Sequence, residues 1–296
     1  MNKLSQEQLG TFFATLAFVF WGLVPIYFKA LSHVTAFEVL VHRVLWSVVV
    51  LAIMITVLKQ WHIVLAIFKN KLQLKILFFS SILVASNWVV FIWAIGHDKI
   101  TEASLGYYIN PLVNVALGML FFAEKPSRYQ ILAILLAIIA IIYQVISLGS
   151  LPIISLVLAF SFGFYGLARK KALVASMAGL FIETLLISPL ALAYLCYLIL
   201  SKQSNFQLSW DHTSILLMFA GFITVIPLLW FNGAATRISM LKLGFLQYIG
   251  PTIAFMLAIF IYHEPFGKEK FITFFLIWLA LAIFTLSDLK RFRKKV

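Results

Sequence analysis

Charged residues are scarce in this chain of 296 residues: Asp, Glu, Lys and Arg together make up 11% of it. Soluble globular domains carry about 25% charged residues. Hydrophobic residues reach 63%, and the mean hydropathy is +1.04. This composition excludes a soluble domain and predicts an integral membrane protein built entirely of α-helices.

Cysteine is also nearly absent, and the lone Cys196 excludes an internal disulfide. We expect it to be a small buried hydrophobic residue of a span. The chain has no zinc-type pairing of His and Cys, no HExxH, no GxSxG and no phosphate-binding GxxxxGK sequence. We therefore expect no metal, no cofactor and no enzymatic activity, and neither an ATP-driven pump nor an intramembrane hydrolase.

The charges that are present are mostly positive, with 23 Lys and Arg against 10 Asp and Glu and a net charge of +13. They are spread over short loops and the C-terminal tail, so we assign them to membrane topology and to contact with anionic lipid headgroups, not to nucleic acid. Most basic residues fall on one side if the N-terminus is cytoplasmic. The positive-inside rule then places both termini in the cytoplasm.

Ten apolar runs are long enough to cross ~30 Å of hydrocarbon as helices. The first is preceded by Glu7 as well as Lys3 and has no small-residue cleavage site, so we interpret it as a span and not as a cleaved signal peptide. The loops at 59–72 and 201–212 are too short to form a soluble domain. The ten runs lie near residues 10–31, 37–58, 73–96, 102–123, 130–148, 151–168, 175–200, 213–235, 241–262 and 271–288.

The second half of the chain repeats the first at a shift of about 140 residues, as measured on the printed sequence. The pairs that are identical at an offset of 140 are Phe91 and Phe231, Ala94 and Ala234, Tyr108 and Tyr248, Ile109 and Ile249, Pro111 and Pro251, and Glu124 and Glu264. We divide the chain into one repeat over 1–149 and a second over 150–296. Five spans per repeat is an odd number, so the copies are predicted to lie in opposite orientations, as in transporters that alternate access around a central site.

Polar residues inside spans are costly and are therefore the first candidates for a site. In the fourth span Asn110 and Asn114 form one stripe with Gly106 and Gly118. Its counterpart in the ninth span runs through Gly250. Two interpretations stay open: the stripes let the fourth and ninth helices cross closely at the centre, or the two amides face a cavity.

The second span carries Glu38, His42 and Arg43 near its predicted exterior end. Arg43 is either an interfacial anchor, an ion-pair partner of Glu38, or a cationic group that meets an anionic part of a substrate at the mouth of a cavity. Glu183 holds the place related to His42 in the second repeat. It is either a proton carrier, because desolvation disfavours a charged carboxylate, or a structural hydrogen-bonding group.

Several aromatic and amide side chains also fall inside the predicted spans. Buried tryptophan usually serves packing, but together these residues would line a midplane cavity suited to a small amphipathic molecule. Pro25, Pro111, Pro227 and Pro251 could bend their helices as hinges. The remaining cavity candidates are Trp21, Asn87, Trp88, Tyr107, Tyr108, Trp230, Asn232, Gln247 and Tyr248.

Four blocks of the chain closely resemble the RarD branch of the EamA transporters, within the drug/metabolite transporter superfamily. The blocks are NWVVFIWA at 87–94, EASLGYYINPL at 102–112, FSFGFYGLARK at 160–170 and GFLQYIGP at 244–251. The resemblance extends from about residue 10 to residue 285.

This resemblance implies a bacterial inner-membrane permease with ten helices in two inverted five-helix repeats, driven by a gradient instead of ATP. It favours export of a small metabolite such as an amino acid; the identity of the substrate, the direction of transport, the coupling ion and the oligomeric state are left open. The alternative is a non-transporting membrane scaffold or sensor, whose polar residues would be packed shut instead of converging on a cavity.

Overall fold

The structure, a computed structural model, describes residues 5–96, 100–149, 153–207, 210–262 and 267–293. Within these ranges it is entirely α-helical, as the composition predicts. The predicted repeat junction at 150–152, Glu264 and the last residues of the basic tail lie outside the described residues. The helices are α1 (Gln6–Ala30), α2 (Ala36–Val57), α3 (Trp61–Lys69), α4 (Lys71–Gly96), α5 (Ile100–Phe122), α6 (Arg128–Leu148), α7 (Ile153–Ala172), α8 (Ser176–Leu200), α9 (His212–Ala235), α10 (Met240–Gln247), α11 (Ile249–Phe260) and α12 (Lys268–Arg293).

Nine segments of the described chain are long and apolar enough to cross a membrane. Eight are single helices, and in the ninth, Met240–Leu257, α10 and α11 together form one span. The apolar stretch of α12, Phe271–Ser287, falls short of the ~20 residues that a spanning helix needs. Nine of the ten predicted spans therefore have a counterpart, and the count of ten stays a prediction.

Two details of the sequence interpretation are wrong. The segment at 59–72 is not only loop, because it contains the short helix α3. Cys196 is exposed on α8, not buried, since it lies on a face of that helix against which the described chain packs nothing.

Of the four prolines proposed as hinges, one coincides with a helix break. Proline has no N–H, so Pro251 cannot donate to the carbonyl of Gln247 four residues earlier. At this point α10 ends at Gln247 and α11 begins at Ile249. Pro25, Pro111 and Pro227 instead lie inside the uninterrupted helices α1, α5 and α9.

Contacts between helix ends define the two faces of the bundle. Arg237, just after α9, donates from Nε to Gln6 Oε1 at 3.0 Å, and Lys170 near the end of α7 donates to the carbonyl of Ala235 at 3.2 Å. The start of α1 and the end of α7 therefore lie on one face, which we call the terminal face. The helices α1 and α7 run in opposite directions.

The other face, which we call the opposite face, is marked by Glu38 near the start of α2. Its carboxylate accepts a hydrogen bond from the backbone N–H of Asn205, in the loop after α8. His33 and Thr213, in the α1–α2 loop and at the start of α9, also meet there at 3.0 Å. The start of α2 thus lies beside the end of α8, and these two helices are antiparallel as well.

The same antiparallel relation holds for two more pairs. Glu124, just after α5, accepts from the backbone N–H groups of Met240 and Leu241 at 2.8 Å each and so caps the start of α10. Ser127, at the start of α6, contacts Ser287 near the end of α12 at 3.0 Å. The helices α6 and α12 pack against each other.

The helices α5 and α10 approach closely, as predicted for the fourth and ninth spans, but at a different residue. A Cβ added to Gly244 would lie 2.5 Å from the carbonyl oxygen of Pro111 and 3.2 Å from Cβ of Asn114. At Gly250, the glycine of the predicted stripe, the nearest atom would be the carbonyl oxygen of Phe18 in α1, at 3.4 Å. The break before Pro251 interrupts the stripe, and this explains why the contact shifts to Gly244.

We expect Gly244→Ala to destabilise the protein by about 1–3 kcal/mol, because the added methyl group meets backbone atoms that cannot move away. Gly250→Ala is the matched control and should be close to neutral, since its methyl group reaches only ordinary van der Waals contact. Thermal unfolding of the purified proteins in detergent measures both. Equal unfolding midpoints for the two variants would contradict the close crossing at Gly244.

Candidate functional site

Arg43 lies about two turns into α2, inside a predicted span. Its Nε donates to Oγ1 of Thr224 on α9 at 3.0 Å, and its guanidinium carbon lies 4.8 Å from the ring centroid of Trp88 on α4. The side chain is partly exposed. Within the described part of the chain, no carboxylate lies within 4.0 Å of it, and its two Nη atoms donate to no protein group. The charge of Arg43 is therefore uncompensated by a protein anion.

Aromatic side chains surround this guanidinium. Phe28 lies 5.7 Å from it, and the phenol groups of Tyr27 and Tyr107 are near enough to interact with it electrostatically. Tyr107 is 46% exposed, whereas Trp88 is only 8% exposed. Five helices contribute to what we call the Arg43 cluster: Tyr27, Phe28, Arg43, Trp88, Tyr107 and Thr224.

The predicted ion pair between Glu38 and Arg43 is not present. The Glu38 carboxylate is buried and accepts hydrogen bonds from the Ser204 hydroxyl at 2.8 Å, from Asn205 N at 2.6 Å and from Asn205 Nδ2 at 2.8 Å. These donors come from the loop after α8, so Glu38 anchors that loop on α2. Arg43 is also not an anchor at the membrane surface, because it points into the bundle towards Thr224 and Trp88.

His42 shares the face of Glu38 and not that of Arg43. It is 1% exposed, its ring centroid lies 4.9 Å from that of Phe206, and neither ring nitrogen has a hydrogen-bond partner among the residues that the structure describes. The structure therefore places His42 in the packing below the α8–α9 loop, apart from the Arg43 cluster.

Glu183, the other acidic candidate, has a charge partner that the sequence analysis did not identify. Arg169 Nη1 lies 3.5 Å from Glu183 Oε1, and both side chains are 1% exposed. The Ser80 hydroxyl donates to Oε1, and the Tyr165 hydroxyl donates to Oε2 at 3.4 Å. These hydrogen bonds agree with the structural interpretation of Glu183, and its role as a proton carrier stays a prediction.

This arrangement extends to α9 and closes the bundle towards the terminal face. Asn232 is fully buried, and its Nδ2 donates to the Tyr165 hydroxyl at 3.1 Å. A Cβ at Gly179 would lie 2.1 Å from Arg169 Nη1, so only glycine leaves room for the guanidinium there. We call Ser80, Tyr165, Arg169, Glu183 and Asn232 the Glu183 network.

A third polar group joins α5 to α10 and α7. Asn110 is 2% exposed; its Nδ2 donates to the carbonyl of Ala159 at 2.5 Å, and its Oδ1 accepts from Gln247 Nε2 at 2.5 Å. Asn114 Nδ2 donates to Gln247 Oε1 at 2.8 Å, while Asn114 Oδ1 has no partner. In this conformation the two amides of the fourth-span stripe and the amide of Gln247 brace helices at the break in the ninth span.

The other candidates lie in packed environments. Asn87 Nδ2 bridges α4 to α7 through the carbonyl of Leu158 and the hydroxyl of Ser161, both at 2.9 Å. Trp21 packs edge-on against Phe162 with centroids 5.9 Å apart. Trp230 contacts Phe20 on α1, at 6.1 Å.

Tyr108 and Tyr248 lie outside both charged clusters. The Tyr248 hydroxyl donates to the Tyr108 carbonyl at 3.2 Å, and the Tyr108 ring packs edge-on against Phe274 of α12, at 5.3 Å. The structure therefore does not gather the predicted residues into one site. It joins Arg43, Trp88 and Tyr107 in one cluster, Asn110, Asn114 and Gln247 in a second, and Glu183 with Asn232 in a third.

Sequence reasoning missed Arg169, Tyr165, Ser80, Thr224 and Tyr27. Arg169 begins the run Arg169-Lys170-Lys171, and we counted that run as cytoplasmic loop charge. The spacing of Gly179 and Glu183 could have distinguished Arg169 from the two lysines that follow it. These two residues are four apart in the next span and so share a helix face, and in the structure Gly179 faces Arg169. In the described residues, no three His, Cys, Asp or Glu side chains gather in a way that could hold a metal ion.

Comparison with known proteins identifies the family. A model described as the EamA-like transporter family matches residues 8–146. Protein RarD of Salmonella typhi is 46% identical over 290 residues, which cover 98% of this chain and 99% of that protein. An uncharacterized transporter of Vibrio cholerae is 46% identical over 95% of this chain and 93% of its own length.

Two further comparisons agree with these. The uncharacterized transporter YojE of Bacillus subtilis is 42% identical over 97% of this chain and 96% of that protein. A solved crystal structure superposes with a TM-score of 0.69, covering 95% of this chain and 98% of that one, at 14% identity, which supports the fold alone. From the relatives at 42–46% identity over nearly their whole lengths, we conclude that the chain belongs to the RarD branch of the EamA-like transporter family.

Proposed function

We propose that this protein is a secondary transporter that exports a small metabolite, such as an amino acid or a related amphipathic compound, across the bacterial inner membrane. Both termini are cytoplasmic, so the terminal face is the cytoplasmic one. The observation that carries the proposal is the contrast between the two charged clusters. The Arg43 cluster, towards the opposite face, is partly exposed, whereas the Glu183 network is sealed by an ion pair between buried side chains.

The antiparallel helix pairs support two inverted five-helix repeats over 1–149 and 150–296. The pairs α1 and α7, α2 and α8, α5 and α10, and α6 and α12 are the counterparts that the repeat predicts. Tyr108 and Tyr248, which match at an offset of 140, contact each other directly. Such a contact between equivalent residues is expected where a pseudo-twofold axis passes between α5 and α10.

The two charged clusters occupy related places in these repeats. Arg43 on α2 donates to Thr224 on α9, and Glu183 on α8 accepts from Ser80 on α4. The helices α2 and α8 are equivalent, as are α9 and α4. An inverted repeat that alternates access must open one such place while it closes the other. We therefore assign the present conformation to an outward-open state, closed at the Glu183 network.

The candidates that are packed here are proposed to line the pathway when the terminal face opens. The amides of Asn110, Asn114 and Gln247 lie beside the break before Pro251, where α10 and α11 can change their relative angle. The alternative function, a scaffold or sensor, is favoured by the dense packing of these same amides, and the experiment below separates the two.

The central test compares metabolites released by cells with and without the protein and then measures flux of the enriched compound into proteoliposomes. We expect at least one small metabolite to appear outside the cells only when the protein is present, and its flux in vesicles to saturate. A scaffold or sensor would give unchanged release and no flux above that of protein-free vesicles.

The buried ion pair gives a second prediction. Glu183→Gln should lower stability by about 3–5 kcal/mol, because it leaves the Arg169 charge buried without a counter-charge. The double variant Arg169→Met with Glu183→Leu should recover most of this loss. The control is Glu7→Gln at the exposed pair with Lys242, 3.3 Å apart, where we expect less than about 1 kcal/mol. Similar unfolding midpoints for Glu183→Gln and Glu7→Gln would contradict the stabilising role of the buried pair between Arg169 and Glu183.

Vesicle flux also decides whether Glu183 carries protons. If it does, supplied substrate should change the lumen pH of proteoliposomes, and Glu183→Gln should abolish this signal while substrate exchange continues. An unchanged rate after collapse of the pH gradient would show a facilitator, in which the Glu183 network only braces the helices.

For the amides, we expect Asn110→Ala to reduce flux more than it reduces stability. The change removes a buried group that binds Ala159 and Gln247 here and that would meet the substrate in the alternate state. Asn70→Ala, which removes an exposed amide that caps α4, is the control. A lower unfolding midpoint with unaltered substrate binding would assign Asn110 a purely structural role.

A further inference from the structure

The free edge of the Arg43 guanidinium points to the chemistry of its ligand. Arginine presents five N–H donors in a planar fork that matches a carboxylate with two parallel hydrogen bonds. Thr224 takes only Nε, which leaves the outer edge, formed by the two Nη groups, without a protein acceptor in the described chain. An ionised group inside a span is costly unless it is paired. The missing counter-charge is therefore expected to arrive with the substrate.

Within the described residues, the two buried acidic side chains are already occupied. Glu38, on the same helix, accepts three hydrogen bonds from Ser204 and Asn205. Glu183 is paired with Arg169 in the Glu183 network. What remains around Arg43 is neutral: the rings of Trp88 and Phe28, the phenols of the Arg43 cluster and the Thr224 hydroxyl. This surrounding can solvate a cation weakly but cannot neutralise it.

The same lack of acidic groups disfavours a zwitterionic ligand. An α-amino acid that binds Arg43 through its carboxylate carries an ammonium group two bonds away. In the described chain, no carboxylate of the Arg43 cluster is available to accept this ammonium, and the nearby guanidinium repels it. The field at this site favours a net negative molecule over a zwitterion of equal size.

The aromatic residues of the cluster indicate the rest of the ligand. Trp88 and Phe28 offer ring surfaces beside the guanidinium, and the ring of Tyr107 is 46% exposed. Such surfaces bind apolar or planar groups, and the few polar groups fix orientation. The ligand that fits has a carboxylate at one end and an apolar body.

We propose that the Arg43 cluster is a carboxylate subsite and that the protein selects amphipathic organic anions over the corresponding amino acids. This inference rests on the proposed transport function and narrows it. It differs from the amino-acid substrate that the family resemblance suggests. Arg43 is the residue that determines this preference, and Thr224 positions it by accepting the hydrogen bond from its Nε.

The test compares ligands that differ only in charge. The probes are 3-phenylpropanoate, phenylalanine and 2-phenylethylamine, and the aliphatic series 4-methylpentanoate, leucine and 3-methylbutylamine. Binding to the purified full-length protein is measured by calorimetry at neutral pH. We expect the carboxylates to bind about tenfold or more tightly than the amino acids, which is the scale of one charge-assisted hydrogen bond. The amines should bind most weakly.

Substitutions at Arg43 and Lys29 show which side chain causes the preference for carboxylates. Arg43→Gln should remove the preference for carboxylates, and Arg43→Lys should retain part of it, since lysine keeps the charge but lacks the fork. Lys29→Gln is the matched control, an exposed cation on the same face, and should preserve the order of affinities. The thermal midpoint of each variant is recorded, and Arg43→Lys keeps the test decisive if Arg43→Gln does not fold.

Three outcomes would overturn the subsite: no saturable binding of either carboxylate, amino acids that bind as tightly as the carboxylates, or a preference that survives in both Arg43 variants. Flux into proteoliposomes distinguishes an error in the proposed carboxylate subsite from an error in the proposed transport function. Flux of amino acids that is independent of Arg43 refutes the subsite and leaves transport intact. Binding of carboxylates without flux of any probe supports the subsite and refutes transport.

Discussion

A charge inside a membrane span must be neutralised or hydrogen-bonded, and this constraint organises the bundle. On the terminal side, Arg169 and Glu183 neutralise each other out of contact with solvent, and Ser80 and Tyr165 complete the carboxylate's hydrogen bonds. On the other side, the carboxylate of Glu38 is held by a loop, and Arg43 is left with neutral partners. The first arrangement ties the three helices α4, α7 and α8 together, whereas the second leaves a guanidinium edge without a protein acceptor in the described chain.

The asymmetry between these places has meaning because the helices that carry them are related. If the two halves were independent domains, the burial of the Glu183 network and the partial exposure of the Arg43 cluster would have no common explanation. In the inverted repeat that we propose, the two clusters would be the same structural position in two states, and exchange of those states would move the opening from one face to the other. The break between α10 and α11 and the amides of Asn110, Asn114 and Gln247 lie beside the contact between the equivalent residues Tyr108 and Tyr248.

The sequence predicted the helical class, nine of the spans and the close crossing of the fourth and ninth spans, because hydropathy and an internal repeat report directly on membrane depth and symmetry. It predicted less about the site. It left three alternatives open for Arg43, and it could not exclude the ion pair with Glu38 because it does not show that the loop at 204–205 folds back onto that carboxylate. Arg169 was missed because a basic run at the end of a span looks like topology charge. Gly244 was missed because the break at Pro251 shifts the contact by six residues along the chain.

Cysteine accessibility tests the alternating arrangement most directly. In a Cys196→Ser background, Tyr107→Cys reports on the Arg43 cluster and the near-isosteric Ser80→Cys reports on the Glu183 network. With a membrane-impermeant maleimide, we expect Tyr107→Cys to react from outside the cell and Ser80→Cys to be protected from both sides. Addition of Glu183→Gln should expose Ser80→Cys to reagent on the cytoplasmic side and slow the reaction of Tyr107→Cys. Labelling of Tyr107→Cys that is unchanged while Ser80→Cys becomes reactive, or labelling of both sites from the same side, would contradict alternating access.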